Sequence, residues 1–124
     1  MSEQAAIHIL VRCQGKALIA ECVDSKLSDE MTIQAWTDEV IAALDNVGDI
    51  DRVILSFGSV RFMSSSALRA LITLRSKTSN KGLELFLCNI SAANMEVFKI
   101  TRLDSLFRIT PTEVEAQRAI VESL

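Results

Sequence analysis

The sequence has no tyrosine, one tryptophan, one proline, one histidine and four glycines in 124 residues. Two of these scarcities remove a class of chemistry. Gly15, Gly48, Gly58 and Gly82 are too scattered to form a phosphate-cradling loop, which argues against nucleotide hydrolysis. His8 stands in a strand-like run with no nearby acid or nucleophile pattern, so a structural or surface role is expected in place of a catalytic one. The three cysteines, Cys13, Cys22 and Cys88, are odd in number, widely spaced and set in apolar or strand-like surroundings. Neither a disulfide framework nor a zinc site fits them, and buried free thiols are expected. Asp45, Asp49 and Asp51 cluster around an expected helix end, but a hard cation needs more oxygen ligands than such a solvated run supplies. With no oxyanion device and no cofactor motif, the expectation is a protein that is not an enzyme and carries no cofactor or metal.

Long runs are missing too. No apolar stretch approaches the ~20 residues that span a bilayer, and Met1 to Ala6 has neither a basic segment nor an apolar core. The balance of 13 basic against 16 acidic residues gives a net charge of -3, with no basic run to follow a phosphate backbone. A cytoplasmic protein is expected, with no nucleic-acid partner and no membrane insertion. What is abundant is apolar residue, 49% of the chain. That content can bury one core, and no repeat, linker or low-complexity tract divides it, so residues 1–124 read as a single domain.

The apolar residues fall into short elements. Ile7 to Val11 and Lys16 to Val23 read as a hairpin turning at Cys13-Gln14-Gly15. Ser28 reads as a helix cap, followed by two acids and by Ile33, Trp36, Val40 and Leu44 at helical spacing, with Trp36 in the core. Val53 to Phe57 has the continuous apolar pattern of a central strand. A helix from about Ser66 to Thr78 follows, burying Ala67, Leu68, Ala70, Leu71 and Leu74 and presenting Arg69, Thr73, Ser76 and Lys77. Next come a strand at Leu83 to Leu87, a short helix with Met95 and Phe98, and a strand at Leu106 to Ile109. Thr112 and Glu115 then form a capping box for a helix running through Ala116, Ala119 and Ile120. This alternation predicts an α/β fold, a mixed and mostly parallel sheet with an antiparallel N-terminal hairpin strand, packed with about four helices.

Ser64, Ser65 and Ser66 stand where a strand and short loop give way to a helix. One serine is explained by capping, since Ser satisfies backbone N–H groups left open at a helix start. Three are not required for that. Because the same end carries the positive pole of the helix dipole, it also tolerates a phosphate.

The stretch Phe62-Met63-Ser64-Ser65-Ser66-Ala67-Leu68 resembles the signature of STAS domains, in particular single-domain bacterial anti-sigma factor antagonists, which reads Phe-(Met/Ile)-Asp-Ser-Ser-Gly-Leu at a helix start. The similarity runs nearly end to end. Leu27-Ser28 falls where the family often has Leu-Asp, Lys81-Gly82-Leu83 matches the start of its next strand, and Leu103-Asp104-Ser105-Leu106-Phe107 resembles its Gly-Leu-x-x-Leu-Phe stretch. Ser64 replaces the signature Asp, Ala67 the Gly, Arg69 a small residue, and Ser56 and Ser28 stand where Asp or Asn is frequent.

The resemblance implies a STAS fold and a regulatory role in transcription. The partner it implies is an anti-sigma factor that is also a serine kinase, bound by the unphosphorylated form and released by the phosphorylated one. Carried over by position, the phosphorylated serine is Ser65, with Ser64 and Ser66 as fallback acceptors. Ser28, Ser56, Ser64, Ser66, Arg69, Thr73 and Lys77 are the expected partner-binding residues. Arg69 is placed to pair with a phosphate through charge-assisted hydrogen bonds, and equally reads as an exposed helical charge. Two other readings stand beside this one. The chain is then a non-phosphorylated STAS scaffold or a subunit of a larger signalling or lipid-transport complex; or it binds a small molecule or nucleotide at the carboxyl ends of its strands.

Overall fold

Short apolar runs and apolar stripes of period 3.6 follow one another along the chain, and they become strands and helices respectively. The computed structural model describes residues 7–121, so the Met1 to Ala6 stretch and residues 122–124 lie outside it. In chain order the elements are β1 (Ile9–Gln14), β2 (Ala17–Cys22), β3 (Lys26–Leu27), α1 (Glu30–Asp45), β4 (Arg52–Ser56), β5 (Phe62–Met63) and α2 (Ser65–Asn80). They continue with β6 (Glu84–Cys88), α3 (Ala92–Ile100), a 3₁₀ turn at Leu103–Ser105, β7 (Arg108–Thr110) and α4 (Glu113–Arg118).

The main sheet has the order β1-β2-β4-β6-β7, with β1 antiparallel to β2 and every other pair parallel. Gly15 closes the hairpin with φ of 59°, a conformation open to glycine without steric cost. A second sheet of two residues per strand pairs β3 with β5 in parallel.

Alternation along the strands sends residues to two apolar layers. Leu18, Val53, Leu55, Leu85 and Leu87 meet Trp36, Val40, Leu71, Leu74 and Phe98 from α1, α2 and α3. Trp36 is 1% exposed, with its ring centroid 6.2 Å from that of Phe57, which is core packing as expected. The opposite layer is thin: Ala17, Ile19, Ile54, Phe86 and Cys88 are covered by Ala116, with Ala119 packed beside it.

Two arginines compensate for that thinness. Arg52 Nη1 donates to the carbonyls of Ala116, Gln117 and Ala119 at 2.9, 2.8 and 2.7 Å, satisfying the open C-terminal end of α4. Arg108 Nη1 donates to the carbonyl of Ile120 at 2.7 Å, and its guanidinium lies 4.7 Å from the Phe86 ring centroid.

Several expectations shift. The cap of α1 is Asp29 rather than Ser28, because the carboxylate Oδ2 accepts from the Thr32 N–H at 2.9 Å. Helix α2 begins at Ser65, one residue early, since Ser64 takes the capping place. Helix α4 ends at Arg118; Ala119 has ψ of 146° because its carbonyl turns to Arg52. The last strand begins at Arg108, after the 3₁₀ turn uses Leu103–Ser105. Cys13 is exposed, not buried, because it lies near the turn end of the edge strand β1, five of whose six residues are exposed. Cys22 and Cys88 are buried, which pushes their thiols up to about 12 and about 11. Asp45, Asp49 and Asp51 each face a cation, Lys81, Lys16 and Arg52 respectively.

Candidate functional site

The small sheet positions the serine cluster. Its register sets Lys26 beside Phe62 and Leu27 beside Met63, so the residues that leave it, Ser28 and Ser64, emerge together. The Ser64 N–H donates to the Leu27 carbonyl at 2.9 Å, and the Arg61 N–H to the Ser25 carbonyl at 2.7 Å. Two helix starts therefore stand side by side, each with its own cap. Asp29 caps α1, and the Thr32 N–H holds its carboxyl below the ordinary value. Ser64 caps α2, its Oγ accepting from the Ala67 N–H at 3.3 Å.

The three serines thus have different surroundings. Ser64 is half-buried and occupied as the cap. Ser66 is half-buried and bonded to Arg69, whose Nη2 donates to its Oγ at 3.2 Å. Ser65, at the first helical position, is exposed, and its hydroxyl makes no hydrogen bond among the described residues. Such a hydroxyl is open to modification. It has no base beside it that would make it a nucleophile in its own right.

Beyond the serines, an open groove of about 450 Å³ runs between α1 and α2. Glu30, Gln34 and Thr37 line one side, Ser66, Arg69 and Thr73 the other, and Ile33, Ile41 and Ala70 form its apolar part. Thr73 Oγ1 donates to the Arg69 carbonyl at 3.4 Å, and Lys77 is exposed one turn beyond Thr73. Ser28, Ser64, Ser65, Ser66, Arg69 and Thr73 hence belong to one region of the molecule, and Lys77 extends it along α2. Ser56 does not join them at the surface. It is 3% exposed at the end of β4, where its Oγ accepts from Asn89 Nδ2 at 2.9 Å.

Other groups were hidden from the sequence. Glu30 and Gln34 face the serine helix across the groove, which helical spacing on α1 alone does not reveal. Asn89 ties β6 to β4 with φ of 59°; its side chain type, tolerant of the left-handed region, was the available signal. His8 meets an acid after all, with Nδ1 2.8 Å from Asp24 Oδ2. Among the described residues no cluster of three or more His, Cys, Asp or Glu side chains could hold a metal ion, and no helix is long and apolar enough to cross a membrane.

Known proteins share this fold. The family model described as STAS domain matches residues 5–116. An anti-sigma-factor antagonist (STAS) domain protein from Planctomyces limnophilus superposes with a TM-score of 0.74 at 21% identity, over 87% of this chain and 93% of that one. The phosphorylated form of SpoIIAA, a Bacillus cell fate determinant, gives 0.64 at 15% identity, over 89% and 97%. The murine anion transporter Slc26a9 gives 0.72 at 20% identity over 87% of this chain, but over only 19% of the transporter. At these identities the structures speak for the fold, a mixed sheet with an antiparallel β1-β2 pair, and the family model speaks for descent: the chain belongs to the STAS domain family.

Proposed function

We propose that this chain is a regulatory protein-binding module, an anti-sigma factor antagonist whose partner is an anti-sigma factor with serine kinase activity. Phosphorylation of Ser65 is the off switch, the domain covers residues 1–124, and the protein works in the cytoplasm without enzymatic activity of its own. The observation that carries this reading is the exposed, unbonded hydroxyl of Ser65 at the first position of α2, between two serines that are each engaged. Further support comes from the family. The Planctomyces protein is named an anti-sigma-factor antagonist, and SpoIIAA is known in unphosphorylated and phosphorylated forms.

The physics of the switch is electrostatic. A phosphate adds about 1.5 to 2 negative charges at one point, large beside a total of -3. Like charges brought together at an interface cost several kcal/mol, and about 1.4 kcal/mol is a factor of ten in affinity. The dipole of α2 contributes about 0.3–1 kcal/mol in the opposite sense, so it steadies the phosphate without driving its addition. Arg69, four residues on, releases Ser66 to pair with it.

Phosphopeptide mapping of the protein from cells grown in rich medium and under stress tests the proposal. A condition-dependent phosphate on Ser65 is the expected result, and a phosphate confined to Ser64 or Ser66 would move the acceptor. Absence of phosphate in every condition would reject the switch in favour of a second reading, a scaffold or subunit of a larger signalling or lipid-transport complex. One observation favours that reading: Ser64, in the place of the family's acid, is spent on capping α2.

A further inference from the structure

Helices α1 and α2 are charged in opposite senses along their whole length. Helix α1 carries Glu30, Asp38, Glu39 and Asp45 and no Lys or Arg; α2 carries Arg69, Arg75 and Lys77 and no Asp or Glu. Between Asp51 and Glu84 the chain has no acid at all. Glu39 turns away to the hairpin, where Oε1 accepts from the N–H groups of His8 and Ile9 at 2.8 and 3.1 Å. Glu30, Asp38 and Asp45 remain exposed, spaced two helical turns apart. Arg69 and Lys77 are exposed on α2 at the same spacing.

The two helices run side by side in the same direction. Glu30 and Ser66 share the groove at their N-terminal ends, and Lys81 Nζ lies 3.1 Å from Asp45 Oδ1 at their C-terminal ends. That ion pair closes one end only. Among the described residues Glu30, Asp38, Arg69 and Lys77 have no oppositely charged partner. Between the stripes lies the apolar part of the groove, and the same helices expose Met31 (83%) and Ile72 (40%).

We propose that this face binds a second copy of the chain through a two-fold axis parallel to the helices, with α1 of each copy laid over α2 of the other. A purely acidic occupant would be repelled by α1 and a purely basic one by α2. The occupant must be split in the same way at the same spacing. Rotation about an axis along the groove supplies that pattern from the chain itself, keeps the paired helices parallel, and brings Glu30 and Asp38 to within about one helical turn of Arg69 and Lys77 of the other copy. An axis across the helices would instead stack acid on acid. Each interface is isologous, as closed dimers require. A 16-residue helix is about 24 Å long, and two helices about 10 Å apart offer about 500 Å² per copy. The sum lies near the lower bound for a specific interface, so the dimer is weak and its formation covers Arg69. The inference does not rest on the Ser65 switch, because it concerns the unphosphorylated chain alone.

Sedimentation equilibrium of the purified chain, with reductant present to keep Cys13 from cross-linking, tests it. A monomer–dimer equilibrium at micromolar concentrations is expected, with the dissociation constant rising at least about tenfold when salt is raised to about 1 M, where the screening length falls to about 3 Å. The double variants Glu30→Lys/Asp38→Lys and Arg69→Glu/Lys77→Glu are each expected to be monomeric, since the unpaired charges that each copy lays against the other are then predominantly of one sign. Mixed in equal amounts they are expected to form a heterodimer. All four positions are exposed, and cooperative thermal unfolding checks that both variants fold. A wild-type chain monomeric at every concentration up to about 1 mM, a dimer indifferent to salt, or folded variants that do not pair would each overturn the proposal.

Discussion

Ser64 donates its backbone N–H to the carbonyl of Leu27 at 2.9 Å, and through that bond the starts of α1 and α2 are held at one place on the surface. The backbone beside Ser65 is therefore anchored while the Ser65 hydroxyl is left open. Under the proposed switch, Ser65→Asp is expected to weaken binding of the anti-sigma partner about tenfold or more, because it introduces charge at the interface. Ser65→Ala is expected to change it by no more than about twofold, the range of an ordinary surface substitution. Titration calorimetry with both variants decides the matter; equal affinities would refute the switch.

The neighbouring serine is expected to act on stability instead. Ser64→Ala removes the acceptor for the Ala67 N–H and is expected to cost about 1 kcal/mol, whereas Ser65→Ala costs less than about 0.5 kcal/mol. Urea unfolding at neutral pH measures both. A larger loss for Ser65→Ala would mean that the cap had been assigned to the wrong residue.

Acid should erase the cap of α1. The Thr32 N–H lowers the folded pKa of Asp29 below its ordinary value. A lowered folded pKa stabilises above the unfolded value, about 3.9, and that stabilisation is lost as pH falls through the folded value. The stability gap between the wild type and Asp29→Ala is thus expected to be widest near neutral pH and to narrow below about pH 4. Denaturation curves collected across this range supply the check, and a gap constant with pH would deny the charged cap.

Thiol chemistry provides an independent probe of packing. Cys13 is exposed, while burial pushes Cys22 and Cys88 up to about 12 and about 11. One thiol of the three is expected to react promptly with a disulfide reagent at neutral pH and the other two only on unfolding. Prompt reaction of two thiols would show that one buried layer opens in the native state.

Arg52→Ala tests the attachment of α4. The substitution leaves three carbonyls without their shared donor and is expected to cost about 2–3 kcal/mol. Hydrogen exchange should accelerate first in residues 113–121. Uniform acceleration across the chain would mean that α4 has no separate opening.

Much of this architecture was legible because its signals are long. Helix α2 announces itself through Leu68, Leu71 and Leu74, and the capping box through Thr112, whose N–H meets Glu115 Oε1 at 3.1 Å. The two-residue strands β3 and β5 carry no periodicity of their own, so the pairing that aligns the serines with α1 could be read only in three dimensions. Ser28 and Asp29 are both good caps, and side-chain reach, not residue type, decides between them. Ser56 is polar at the end of an apolar strand; only the arrival of Asn89 from β6 shows that it points to a buried partner. The exposure of Cys13 follows from the place of β1 at the edge of the sheet, which the residue pattern does not show.

The thin side of the sheet bears on how the chain is made. A nascent chain that has emerged as far as β7 can already close the layer containing Trp36 and Phe98, but Ile19, Ile54 and Phe86 still have no cover. Until residues 113–120 arrive and Arg52 and Arg108 grip them, that side is an apolar surface available to a chaperone or to another unfinished chain. Completion of the fold is thereby postponed to the last described helix.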